Sequence, residues 1–359
     1  MRLARLTPIL VLALAACLSA SATEAGRDGT LLTLNSSPSA GDRFQQAVFS
    51  CWMPDTTRKL RGAIIHQHGC TSATPERQPP ITLDSHWRAL ARKHDCALIS
   101  PMYRVNGTCD EWNDPASGSE RALLAALAHF ASQAGHPELT NAPWLLVWGR
   151  REAVPASRHF VSWEPMNTMF AELRARGGKV GRLIDPESEH GCGNSRLVVI
   201  PFFDAVLGEP SAKAVFVECS SLERREDVPA NRANPALAWL PSEALARLWR
   251  EYSQHGTVRP ANSQLIAPSL AAMRTNSGAI KLTWRVEPTL DGGVRGIRIN
   301  RDGKLWRELG PRAGNLLATF GDGPPEGLRE PSCFDDSREP HTYALNFADV
   351  AGNESPFSQ

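Results

Sequence analysis

The hydrophobic pattern of this chain changes period once, near residue 257, and that change constrains its fold more than any single motif. Before it, residues 43–210 alternate short apolar runs with helical patterns. Arg61–His68 has the pattern of a short buried strand, and Asp84 can cap a helix over Ser85–His94. Cys96–Pro101 is a second strand, and Ser119 can cap a helix over Glu120–Ala134. Pro143–Trp148 is a third strand, ending at Gly149. Pro165 marks a helix start, with Met166, Met169, Phe170 and Leu173 as its apolar stripe and Gly177-Gly178 as its stop. Val180–Ile184 is a fourth strand, followed by helices over Leu197–Leu207 and Ser242–Tyr252. Strands alternating with helices predict an α/β unit, a parallel sheet covered on both faces.

Beyond a linker at 256–262 the period becomes two. Ala279–Val286 alternates, Gly296–Gly303 ends in an Asp-Gly turn, and Tyr343–Val350 is a further strand. This spacing predicts an all-β sandwich over 263–359. Two units agree with a length of 359 residues.

With 39 basic against 38 acidic residues there is no basic field, which excludes general nucleic-acid binding. Arg2 and Arg5 precede an apolar run, Ile9–Ala16, that is too short to span a bilayer, and Ala20-Ser21-Ala22 has the small residues of a cleavage site. Residues 1–22 therefore read as a signal peptide outside the fold. Leu14-Ala15-Ala16-Cys17 also resembles a bacterial lipobox, so lipidation at Cys17 is the alternative. Both readings export the protein, periplasmic or secreted. No later run approaches ~18 apolar residues, so no transmembrane helix is expected. Seven cysteines follow Cys17, an odd number, and export permits disulfides. Cys70 with Cys109 is the preferred pair, since both follow expected strands at one end of a sheet.

Three loops carry candidate chemistry. His68-Gly69 follows a strand, where by itself it reads as a turn that needs glycine. Gly149-Arg150-Arg151-Glu152 follows another, with Glu152 either orienting a histidine or paired with its flanking arginines. Asp185–Gly193 carries His190 between a strand and a helix. His190 is either a catalytic base or a surface histidine held by Glu187 or Glu189. His66 and His68 share a strand face and could converge on a metal, but no carboxylate cluster supports them. A buried strand histidine is the preferred reading, and no metal or other cofactor is expected.

These loops resemble those of the α/β-hydrolase fold, specifically exported esterase-like members with a C-terminal fibronectin type III-like domain. In that second domain Trp284 suits the buried early-strand tryptophan and Tyr343 the late-strand tyrosine. The resemblance implies a serine hydrolase of carboxylic esters, with His190 as base, Glu152 as its acid partner, and Gly69 and Cys70 as oxyanion donors. The sequence departs from that pattern at one point. No G-x-S-x-G or G-x-C-x-G occurs, and the strand ending at Gly149 runs straight into the Glu152 loop. An internal deletion near 149 would explain this, giving a truncated α/β-hydrolase-type sheet in residues 23–255. The nucleophile is then unknown, with Ser72, Cys70 and Cys192 as weak substitutes. The expectation is an exported ester-hydrolase-like protein that is inactive or impaired as written. Its partner would be a small-molecule or polymeric ester. The alternative is a catalytically inactive exported binding protein whose C-terminal domain docks on an envelope or extracellular partner.

Overall fold

Strand β3 (Gln46–Pro54) organises the first half of the molecule. Its side chains alternate between two cores. Ala47, Phe49 and Cys51 face one, with Phe130 and Ala126 of helix α2 (Ser119–Ala134). Trp52 faces the other, with Trp87, Leu90 and Ala91 of helix α1 (Ser85–Lys93). Burying a side chain such as Phe49 stabilises by about 1.5–3 kcal/mol, so these two faces fix the register of β3. The computed structural model describes residues 18–26, 29–55, 60–66, 81–105, 117–134, 143–157, 160–189, 195–208, 214–225, 234–258, 265–285, 296–309, 332–348 and 353–358.

β3 pairs antiparallel with β2 (Gly29–Ser36) on one side and with β5 (Cys96–Arg104) on the other. β4 (Gly62–Ile65) adds to β5 in parallel, and β1 (Leu18–Gly26) adds to β2 as an outer antiparallel strand. The sheet order is thus β1-β2-β3-β5-β4. Residues 18–22, expected to lie outside the fold as part of a signal peptide, are here part of β1.

A separate parallel pair follows: β6 (Trp144–Gly149) and β7 (Val180–Asp185), with helix α3 (Phe160–Ala175) between them in sequence. Helix α4 (Arg196–Gly208) leads to a small antiparallel sheet, β10-β8-β9, formed by β8 (Val215–Glu218), β9 (Arg224–Arg225) and β10 (Leu237–Leu240). Helix α5 (Glu243–His255) closes this half. Ser242 caps its start by accepting from the Leu245 N–H at 3.2 Å, and Gly256 ends it with a left-handed φ of 65°. Val258 packs into the first core, so the chain leaves that core later than the expected linker at 256–262 begins.

The last part comprises two three-stranded antiparallel sheets. One holds β11 (Ser269–Arg274), β12 (Ile280–Arg285) and β15 (Ser332–Asp335). The other holds β13 (Gly296–Arg301), β14 (Lys304–Leu309) and β16 (Tyr343–Ala348). Leu282 and Trp284 from the first share a buried core with Ile297, Ile299, Leu345 and Phe347 from the second.

The expected fold class is corrected by this pairing. A truncated α/β-hydrolase-type sheet would be one parallel sheet with helices layered over it. The described strands instead fall into five sheets, and only β4–β5 and β6–β7 are parallel. The physical reason lies in β2, β3, β8 and β10, whose apolar runs are satisfied by antiparallel neighbours and by packing, not by a common parallel sheet. Pro165 is also corrected: it lies inside α3, whose first turn begins at Phe160.

Candidate functional site

The C-terminal ends of β6 and β7 meet backbone to backbone. A Cβ on Gly149 would overlap the carbonyl oxygens of Ser188 and Glu189, so glycine is required there for space, its φ of −90° being ordinary. The Arg151 N–H donates to the Ser188 carbonyl at 3.0 Å. The Ser157 hydroxyl donates to the Glu189 carboxylate. Asp185, buried at the end of β7, shapes the second loop by accepting from the N–H groups of Glu187 at 3.0 Å and Ser188 at 2.6 Å. Tyr252 of α5 donates its hydroxyl to the other carboxylate oxygen of Asp185.

Glu152 sits in the 3-10 turn Arg150–Ala153 that follows β6. It is 3% exposed, whereas its neighbours Arg150 and Arg151 are exposed. Burying a carboxylate is costly, so a buried acid at a strand end signals a specific role or partner. His190 lies one residue beyond Glu189, outside the described residues. Among the described residues on either side of it, Glu189 lies against Gly149, and Arg196 of α4 reaches Asp84 at 2.8 Å. Asp84 in turn caps α1, next to the end of β4.

Gly69, Cys70, Ser72, His68, Cys109 and Cys192 lie outside the described residues. His66 follows β4, its ring edge-to-face with Trp87 at 5.2 Å, and its backbone N–H donates to the Ile99 carbonyl at 2.9 Å. Among the described residues no three potential metal ligands come together. The expected Cys70–Cys109 pair thus falls outside the described residues; of the described cysteines, Cys51, Cys96, Cys219 and Cys333 are free thiols. Burial pushes the Cys51 thiol up to about 12 and, against the pull of Arg61, that of Cys96 up to about 11. Neither is a nucleophile at neutral pH.

A second constellation, not anticipated from the sequence, lies at one end of the C-terminal sheets. Ser337 Oγ is 2.8 Å from His341 Nε2, and His341 Nδ1 is 2.6 Å from Asp302 Oδ2. The Asp302 φ of 54° and Gly303 φ of 77° form the tight turn joining β13 to β14. Thr342 fixes Asp302 by donating its N–H to Oδ1 at 2.9 Å, while the Asp302 N–H donates to the Thr342 carbonyl at 2.9 Å. The Thr342 N–H and His341 hold the Asp302 carboxyl below its ordinary value. Asp335 accepts from the Ser337 N–H at 2.9 Å, which sets the turn carrying Ser337. The only advance signal was the Asp-Gly dipeptide, which reads as a turn and not as a charged partner.

No family model matches the chain. No curated protein matches it either. One solved structure is similar over a short stretch, the M60 catalytic domain from Clostridium perfringens ZmpC in complex with the sialyl T antigen. That likeness is 13% identical, covers 37% of this chain and 22% of that one, and has a TM-score of 0.17, too slight to indicate a shared fold. The resemblances to α/β-hydrolases and to fibronectin type III domains thus find no family match, and the strand pairing described above is not that of the hydrolase sheet. Nor does any comparison support the signal-peptide reading of residues 1–22. Among the described residues no helix is long and apolar enough to cross a membrane.

Proposed function

We propose that the protein is an exported, ester-hydrolase-type protein in which Glu152 and His190 act as an acid–base pair on a carboxylic ester. The observation that carries this reading is the hydrogen bond from the Arg151 N–H to the Ser188 carbonyl, with Gly149 beneath it. It brings the Glu152 turn against the segment that leads to His190. A buried carboxylate beside an imidazole favours its protonated form and fixes its tautomer. Turnover at this site is low, because β6 runs directly into the Glu152 turn and no serine elbow precedes it. Catalytic triads stripped of their nucleophile retain ~10³–10⁴-fold over water, far below a working enzyme. The test is hydrolysis of a short acyl ester by the full chain and by His190→Ala. The rate that the substitution removes should not exceed that residual range. A loss of clear enzymatic turnover on removing His190 would overturn the low-turnover reading and require a nucleophile in this site.

A second reading, a binding protein working through its C-terminal sheets, is favoured by one observation. Met273, Lys281 and Phe334 stand in a cross-strand row on β11, β12 and β15, with Met273 and Phe334 exposed and Lys281 Nζ 5.8 Å from the Phe334 ring. An exposed apolar row of this kind suits a partner surface. Substituting Met273 and Phe334 by serine should abolish binding to an envelope partner while leaving the fold intact.

A further inference from the structure

We propose that Ser337, His341 and Asp302 form a nucleophilic triad that takes an acyl group from a carboxylic ester. This inference rests on the C-terminal sheets alone and not on Glu152 or His190.

The geometry supplies each role. Asp302 is held as a carboxylate by the Thr342 N–H, so it can only accept a hydrogen bond. The 2.6 Å contact with His341 therefore places a proton on Nδ1. In the neutral imidazole that tautomer leaves Nε2 as an acceptor, to which the Ser337 hydroxyl 2.8 Å away can donate. A serine whose proton already points at a neutral imidazole, itself oriented by a carboxylate, is the arrangement that activates an alcohol for attack. The Glu339 N–H donates to Ser337 Oγ at 3.2 Å and keeps the side chain in this rotamer.

Two connections carry the triad. The turn between β13 and β14 carries Asp302, and the β15–β16 connection carries Ser337 and His341. Pairing of Arg301 with Tyr343 fixes one against the other. Behind them, buried Asp335 accepts from Tyr343 at 2.8 Å and from Arg301 at 2.9 Å. The His341 ring packs edge-on against Tyr343, 6.2 Å between centroids. Ser337 and His341 are both partly exposed, so an acyl carbonyl can reach Oγ from solvent. An open site of this kind suits short, activated acyl esters more than bulky ones.

The chemistry balances without a further reactant besides water. Ser337 Oγ bonds to the acyl carbon while its proton passes to His341 Nε2. The ester C–O bond then breaks, and that proton leaves with the alcohol. Water adds to the acyl carbon through the same base, releasing the acid and restoring the serine hydroxyl.

The experiment is active-site labelling of the full chain with an alkyl fluorophosphonate, followed by peptide mapping. A fluorophosphonate needs only a serine activated by a base, so it reports the triad independently of substrate fit. The expected result is an adduct on Ser337 that is absent from Ser337→Ala. His341→Ala should slow labelling by at least ~10²-fold, the usual contribution of a general base. Asp302→Asn keeps a residue that tolerates the left-handed turn, so it should fold, yet it disfavours the Nδ1–H tautomer and should also slow labelling. Ser277→Ala, at an exposed turn away from the triad, should label as the parent does. Thermal unfolding of each variant reports whether it is folded. No adduct on Ser337 in the folded parent would overturn the proposal. So would labelling of His341→Ala at the parent rate, or equal labelling of Ser337 in protein unfolded by heat before the probe is added.

Discussion

Asp84 holds Arg196 with one carboxylate oxygen and caps helix α1 with the other. The Arg196 guanidinium lies 2.8 Å from Oδ2, while the N–H groups of His86 and Trp87 donate to Oδ1 at 2.9 and 3.1 Å. Both side chains are buried. Removing one partner of such a pair leaves an uncompensated charge away from water, at a cost of about 3–5 kcal/mol. Asp84→Ala should lose that much, or slightly more for the lost cap. Arg196→Met should lose less, because Asp84 keeps its two backbone donors. Urea unfolding of both variants checks the order; equal losses would mean that the cap adds nothing beyond the ion pair.

Asp185 and Tyr252 make a second buried pair, at the end of β7. Tyr252→Phe removes one donor to a carboxylate and should cost about 1.5–3 kcal/mol. Asp185→Ala should cost more, since it also strips acceptors from the N–H groups of Glu187 and Ser188. The same change should loosen the loop before His190, and hydrogen exchange over residues 186–189 should rise in the alanine variant only.

Acid should destabilise the protein through Asp204. Burial would raise this carboxyl, but hydrogen bonds from Lys93 and His94, at 2.8 and 2.7 Å, outweigh it and hold the group below its ordinary value. A carboxyl whose folded pKa is depressed contributes stability above its unfolded value of ~3.9, and loses it as pH falls through the folded value. Unfolding midpoints should therefore drop as pH falls from about 5 downward. Asp204→Asn should be less stable than the parent at pH 7 and should show a shallower decline in acid. An unchanged acid slope would remove Asp204 from this account.

The buried thiols should be silent in the folded state. With Cys51 near 12 and Cys96 near 11, almost no thiolate exists at pH 8. Iodoacetamide at that pH should leave both unmodified in native protein and alkylate both in urea, as read by peptide mapping.

Much of the local structure was legible in the sequence. The Asp84 cap, the strand from Cys96, the helix from Ser119 and the strand from Val180 stand where pattern and capping residues put them. These signals are local, set within a few residues of chain. Strand pairing is not. Gln46–Pro54 is buried on both faces and carries no period to read, so β3 and its pairing with β2 and β5 were invisible, and the sheet was taken for a parallel one. The Ser337–His341–Asp302 cluster was hidden for the same reason. Asp302 and His341 are 39 positions apart and meet only because β13 pairs with β16. The Glu152 turn was legible as a loop, but its approach to residues 188 and 189 through Gly149 and the Arg151 N–H follows from the pairing of β6 with β7, which no spacing in the sequence records.

Gly149 has a consequence for how this protein can diverge. Because the ends of β6 and β7 touch through main chain, the acid-bearing turn and the histidine-bearing segment have no side-chain cushion between them. A lineage cannot adjust one loop by degrees, through a larger or smaller residue at the seam, and leave the other in place. Insertions or deletions in 185–189 must be matched by changes in 150–157, or the seam opens. The two loops are thus inherited as a single unit of variation, and position 149 should tolerate no substitution in a library that accepts many at the exposed neighbours Arg150 and Arg151.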